Sequence, residues 1–293
     1  MPVTGDAVRT GSSPAARIRR IRAVTRDAVR DRRARARAYD ASMDVGEVIA
    51  IGLAGLAAGA INTVVGSGTL ITFPVLLAFG YAPVTANVSN TIGLVPGSVS
   101  GAVGYRRELE GQRRRMLRLG TASLLGGTTG AVLLLVLPAS AFNAIVPVFI
   151  AIALVLVVLQ PRLNRMLAER QVSKENEGGL WTPLGVYGAG VYGGYFGAAQ
   201  GILLLGILGV ALPQDLQRTN ALKNVLAAIV NGVAGVYFVF AAHVEWAPAA
   251  IIAGASIVGG QIGAHYGRRL HPAVLRGVIV VVGVTAIVHL LVT

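Results

Sequence analysis

Long apolar runs divided by short charged clusters set the pattern of this chain. From Val45 to Tyr81 the sequence is apolar except for Glu47 and a few small polar residues. That stretch is about 37 residues, against the roughly 20 that cross a bilayer as a helix, so it bends back on itself. The bend is legible at Asn62, Gly66, Ser67 and Gly68, and the short helix that follows, Thr69 to Phe79, ends at Gly80 and Pro83. Runs at Ala86–Tyr105, Leu119–Leu137 and Phe142–Leu159 follow, each about one crossing long. A second set follows at Leu184–Gln200, Ile202–Leu212, Ala221–Ala242, Ala247–Tyr266 and Val274–Val292. The pattern predicts an all-α polytopic membrane protein.

The two sets are copies. A-S-L-L-G-G-T-T-G-A at Ala122–Ala131 aligns with A-S-I-V-G-G-Q-I-G-A at Ala255–Ala264, six identities in ten at an offset of 133 residues. The same offset places Gly68 on Gly201, Asn87 on Asn220, Ser98 on Asn231 and Leu137 on Leu270. The expected organisation is a basic tail over 1–42, a first helical repeat over 43–161, a polar linker over 162–183 and a second repeat over 184–293. Each repeat holds four long helices and one short or half-helix. Duplicated permeases of this kind place their substrate where the repeats meet.

Composition agrees with the pattern: 54% of residues are hydrophobic and 13% charged, against roughly 25% charged in globular chains. The net charge of +13 is unevenly placed. Residues 1–42 carry eleven Arg against four Asp without the apolar core of an export signal. This segment is expected to be a disordered tail, or an extension upstream of a frame that starts at Met43; a nucleic-acid partner would rest on it alone. The other clusters, Arg106–Arg118, Arg162–Lys174 and Arg268–Arg276, lie between apolar runs, where positive loops mark the cytoplasmic side. All three face one side only if the short helices cross and the repeats are inverted. If those helices dip in and out, the repeats run parallel and one cluster is misplaced. The charges favour inversion.

Candidate chemistry is confined to a few polar positions. Gly66-Ser67-Gly68 opens the first short helix and Gln200-Gly201 the second; non-helical backbone at membrane depth lines a cavity or is buried in protein. Helix starts there present unpaired N–H groups and a positive dipole end, which suits an anion. The alternative is that these glycines only permit tight turns. Asn87, Asn90, Asn220, Lys223 and Asn224 open the equivalent long helices with amide and ammonium donors. N-capping alone accounts for Asn87 and Asn220, whereas Lys223 lies a turn deeper, where a cation is expensive and usually functional. Arg218 is expected to serve the loop. The G-x-x-x-G spacings at Gly55–Gly59, Gly126–Gly130 and Gly259–Gly263 predict close helix packing. The four histidines, His289 among them, show no metal-ligand spacing, and no catalytic constellation, Walker motif or cysteine is present. No cofactor and no enzyme activity is expected.

The run G-A-I-N-T-V-V-G-S-G-T-L-I-T-F-P at Gly59–Pro74, then T-A-N-V-S-N-T-I-G-L-V-P-G-S-V-S-G-A-V-G-Y-R-R-E-L at Thr85–Leu109, resembles the first repeat of the sulfite exporter TauE/SafE family. D-L-Q-R-T-N-A-L-K-N-V-L-A-A-I-V-N-G at Asp215–Gly232 resembles the second. The resemblance implies a multi-pass permease of the cytoplasmic membrane that moves small anions such as sulfite, sulfonates or related organosulfur compounds. An integral-membrane enzyme or assembly subunit using the same inter-repeat cavity is the alternative. The anion is expected between Gly66, Ser67, Gly68 and Asn90 of one repeat and Gln200, Gly201, Lys223 and Asn224 of the other.

Overall fold

Among the described residues ten α-helices, five per repeat, follow the predicted order: α1 (Val45–Val64), α2 (Thr69–Ala78), α3 (Pro83–Gly104), α4 (Arg113–Val136), α5 (Ala139–Glu169), α6 (Trp181–Tyr195), α7 (Gln200–Ala211), α8 (Leu216–Ala241), α9 (Trp246–Tyr266) and α10 (Pro272–Val292). These come from a computed structural model, which describes residues 43–169, 179–267 and 272–292. The basic tail 1–42, residues 170–178 of the linker, Leu270, His271 and the side chain of His289 lie outside the described residues. Among the described residues there is no strand, and a 3-10 turn over Arg106–Leu109 joins α3 to α4.

Among the described residues, five helices (α1, α4, α8 and α9 over their length, α5 over Ala139–Leu167) are long and apolar enough to cross a membrane. The short α2 and α7 have the expected lengths. α3 was expected as an apolar run and is not one: Asn87, Ser89, Asn90, Thr91, Ser98 and Ser100 are buried along it, so it turns its polar residues into the protein rather than to lipid. The linker also starts later than expected. α5 runs through Pro161 to Glu169 because Leu163 and Leu167, one turn apart, pack on Gly206 and Gly209 of α7. α6 begins at Trp181, inside the expected linker.

The repeats interlock helix by helix. A Cβ on Gly59 of α1 would lie 2.4 Å from the Ser256 carbonyl oxygen of α9, and one on Gly259 would lie 2.0 Å from that of Leu56. The counterpart pair behaves alike: Gly126 and Gly130 of α4 approach the carbonyls of Tyr187 and Val191 on α6 to 2.3 and 2.1 Å by the same measure. The first helix of each repeat thus packs against the fourth of the other, and the G-x-x-x-G glycines are what allow the backbones so close. α3 meets α9 through Gln261 Nε2, which donates to Ser100 O at 2.8 Å, and Ser256 Oγ, which donates to Gly93 O at 3.1 Å. α8 meets α4 where Val230 and Val233 fill the space over Gly127.

Local signals set the helix starts. Pro83 occupies the first turn of α3, where its missing N–H is no loss. Asp215 caps α8, its Oδ1 accepting from the Arg218 N–H at 2.9 Å. Asp215→Ala is expected to cost about 1 kcal/mol, seen as a drop in Tm of roughly 2–4 °C for a chain this size in a detergent melting experiment.

Candidate functional site

α1 and α6 stop in the same way. Val65 and Gly66 both donate their N–H groups to Ile61 O, at 2.7 and 3.0 Å; Phe196 and Gly197 both donate to Tyr192 O, at 2.9 and 3.1 Å. Gly66 and Gly197 take φ of 87° and 78°, a region that glycine enters without steric cost. These matches fall 131 residues apart, whereas the short helices match at 133. The second break is therefore two residues longer, and it carries a non-glycine residue in the left-handed region, Ala199 at φ 60°.

The two breaks touch. Gly201 N–H donates to Gly66 O at 3.1 Å, and a Cβ on Gly66 would come within 2.4 Å of Gly201 Cα. Gly68 lies against the Ala58 carbonyl, where a Cβ would sit 2.5 Å from the oxygen. Around this crossing, donors are left over. The Ser67 hydroxyl and the Gln200 amide nitrogen are buried and have no hydrogen-bond partner among the described residues. The N–H groups of Ser67 and Gly68 reach no backbone acceptor there either. Buried donors of this kind cost about 1–3 kcal/mol each when left unmade.

The structure corrects the capping role of Asn87 and Asn220. The cap positions are Ala82 and Asp215. Both asparagines lie inside their helices and reach across to the other repeat: Asn87 Nδ2 donates to Tyr195 O at 3.0 Å and Asn220 Nδ2 to Thr63 O at 3.2 Å. Each satisfies a carbonyl at the end of the interrupted helix of the opposite repeat, where the helix itself supplies no partner.

Asn90 and Lys223 occupy equivalent positions and have different partners. Asn90 is held within its own repeat, its Oδ1 accepting from Thr72 Oγ1 and its Nδ2 donating to Thr69 Oγ1 at 3.4 Å. The second repeat has Ile202 and Leu205 where the first has Thr69 and Thr72, so the side chain there has no hydroxyl to meet. Lys223 Nζ instead donates to the carbonyls of Asn62 and Thr63, both at 3.2 Å, and Asn224 Nδ2 joins at Thr63 O at 3.3 Å. Lys223 is fully enclosed, at 1% exposure, and pairs with no carboxylate among the described residues. Its charge rests on the carbonyl end of α1, which favours a cation by roughly 1 kcal/mol. Arg218 serves the loop as expected, with Nη2 donating to Glu110 O at 2.7 Å.

Sequence reasoning passed over three groups. Asn62 and Asn231 both donate to Ser98 Oγ, at 3.3 and 3.0 Å, and Ser98 and Asn231 are the same position in the two repeats. Two polar residues at one repeat position inside a span were the available signal. Phe73, Phe142, Phe149, Tyr192, Tyr195 and Phe196 form an aromatic cluster beside the second break, with Phe73 and Phe196 edge to face at 5.2 Å and Phe149 and Tyr192 at 5.2 Å. These rings come from three helices and a break, with nothing in the sequence to group them. A cavity of 110 Å³ lies on the Lys223 side, lined in part by Val64, Tyr105, Asn164, Gln217 and Asn220.

Comparison with known proteins places this chain among membrane transporters. Residues 51–290 match the model of the family described as Sulfite exporter TauE/SafE. The chain is similar to a probable membrane transporter protein, ORF9, of Sinorhizobium sp, 27% identical over 82% of this chain and 90% of that one. It is also similar to the probable membrane transporter protein YfcA of Escherichia coli K12, 27% identical over 73% and 76%. A probable membrane transporter protein of Haemophilus influenzae is 25% identical over 76% and 86%. No solved structure matches the chain.

Proposed function

Since the chain belongs to the sulfite exporter TauE/SafE family and is a multi-pass membrane transporter, we propose that it moves a small oxyanion of sulfur, sulfite or a sulfonate, across the cytoplasmic membrane by alternating access at the crossing of its two helix breaks. The observation that carries this reading is the conjunction at Gly66 and Gly201: leftover donors on Ser67 and Gln200, and the enclosed ammonium of Lys223 on the adjoining helix end. Sulfur oxyanions accept several hydrogen bonds and carry the charge that a positive helix start and a buried ammonium favour. Asn87 and Asn220 position the helix ends around the anion. No side chain is assigned a covalent step, and the reading requires no cofactor.

Inverted repeats suit this mechanism, and the central helix pair supports them. Ser98 of α3 bonds Asn231 of α8, Val95 packs on Gly235, and Ser89 Oγ accepts from Glu245 N–H at 2.9 Å. Numbers fall along α3 as they rise along α8, so the two equivalent helices run antiparallel about Ser98 and Asn231. With Arg106–Arg118 inside, the cavity beside Lys223 lies toward the cytoplasm and the aromatic cluster toward the exterior. The arrangement then corresponds to an inward-facing state closed outside by the rings.

The test is uptake by proteoliposomes of the full chain, offered sulfite, thiosulfate, sulfoacetate and taurine with and without a pH gradient. Saturable uptake of a sulfur oxyanion is expected, with Ser67→Ala and Gln200→Leu each raising the half-saturating concentration roughly tenfold. Absence of uptake for the whole panel, in vesicles that contain folded protein, would overturn the substrate class.

A further inference from the structure

A cluster of positive charge, separate from the crossing, occupies the start of α4. Arg113, Arg114, Arg115 and Arg118 fill its first two turns, no acidic residue lies in the first turn, and Gln112 provides no side-chain cap. Cations there oppose both the helix dipole and one another. A general preference for positive loops on one side of the membrane is met equally well by arginines placed outside the helix, so it does not explain this placement.

These arginines surround a cavity of 320 Å³. Arg114, Arg115 and Arg118 line it together with Leu119, Thr182 and Leu212. Two of the guanidinium groups are tethered over it: Arg118 Nη2 donates to Gly179 O at 2.6 Å and Arg115 Nη1 to Gln214 Oε1 at 3.0 Å. Arg114 meets no partner among the described residues. Glu108 and Glu110, the carboxylates nearest in sequence, are not part of the lining. Three planar donors around one space suit a phosphate, which guanidinium groups grip through paired hydrogen bonds.

Among the described residues, the rest of the lining is one hydroxyl, Thr182, and two leucines. Leu119 and Leu212 are buried in its wall, and Leu117, Trp181 and Leu184 stand 63%, 80% and 54% exposed on the helix ends around it. An exposed Trp at a span end marks the headgroup level of a membrane. A free inorganic anion gains nothing from such walls, whereas an amphiphile can place its phosphate among the arginines and its chains against the leucines. We propose that this cavity binds the headgroup of an anionic phospholipid of the adjacent leaflet. The inference rests on the chain spanning a membrane and is independent of the transported substrate.

Native mass spectrometry of the full chain released from detergent, titrated with phosphatidylglycerol or phosphatidylcholine, tests it. Phosphatidylglycerol is expected to bind first. Arg114→Gln and Arg118→Gln, both at exposed positions, are each expected to weaken it about fivefold, while Arg165→Gln, at the end of another helix, leaves it unchanged. Equal binding of the two lipids, or equal weakening by Arg165→Gln, would overturn the proposal in favour of diffuse surface charge. A melting-temperature rise with inorganic phosphate as large as with phosphatidylglycerol would overturn it in favour of a free-anion site.

Discussion

Lys223→Met is expected to abolish saturable anion uptake while leaving the protein at least as stable as the wild type. The two effects have opposite signs because one group causes both. A cation inside a span costs up to about 2.5–3.5 kcal/mol, the figure for a helix centre, and the carbonyl end of α1 returns roughly 1 kcal/mol of that. Lys223 has two carbonyl partners and no carboxylate. Methionine has similar length and no charge, so it fills the same space without that penalty. An anion held by the ammonium loses its charge partner, a loss on the order of a hundredfold or more in apparent affinity. Uptake assays paired with detergent melting curves check both halves. Normal uptake by the variant would remove Lys223 from the site; lost uptake with a collapsed melting curve would make its role structural.

Gly259→Val is expected to be the most damaging single change to the fold. Its Cβ would lie 2.0 Å from the Leu56 carbonyl oxygen and 3.0 Å from the Ala60 backbone nitrogen. Neither atom is the end of a flexible side chain that could swing aside, so α1 and α9 must part along their length. Overpacking of this kind costs 1–3 kcal/mol or more, and inside a membrane no hydrophobic force recovers the lost van der Waals contact. The readout is the monodisperse fraction on size exclusion, expected to fall severalfold. Gly126→Val, at the corresponding contact between α4 and α6, where a Cβ would lie 2.3 Å from the Tyr187 carbonyl oxygen, should match it. Gly254→Val is the control, since a Cβ there meets nothing within 4 Å.

The parts of this architecture that repeat were legible in the sequence. The duplication at Ala122 and Ala255, the breaks at Gly66 and Gly201 and the short helices all appear as local patterns, and the structure keeps them. Expectations failed where the answer depended on a partner far along the chain. Asn87 and Asn220 sit near helix starts, so a local rule assigned them to capping; the carbonyls they serve are 108 and 157 residues away. The two additional residues in the second break were hidden because the matched segments lie on its far side. α3 passed as an apolar span in sequence, although its buried Asn and Ser residues are what bind it to α9 and the breaks. That the Gly66 and Gly201 breaks face one site was an expectation drawn from the repeat and not from a local pattern; the direct backbone contact between them had no local signal.

Alternating access at that crossing is tested most directly by trans-stimulation. Proteoliposomes of the full chain are loaded with unlabelled sulfite, and entry of labelled sulfite is followed. Faster initial entry into loaded than into empty vesicles, saturating with outside concentration and absent in Lys223→Met, is the result expected of a site exposed to one side at a time. Entry that rises linearly with concentration and ignores what the vesicle contains would contradict it and describe a pore.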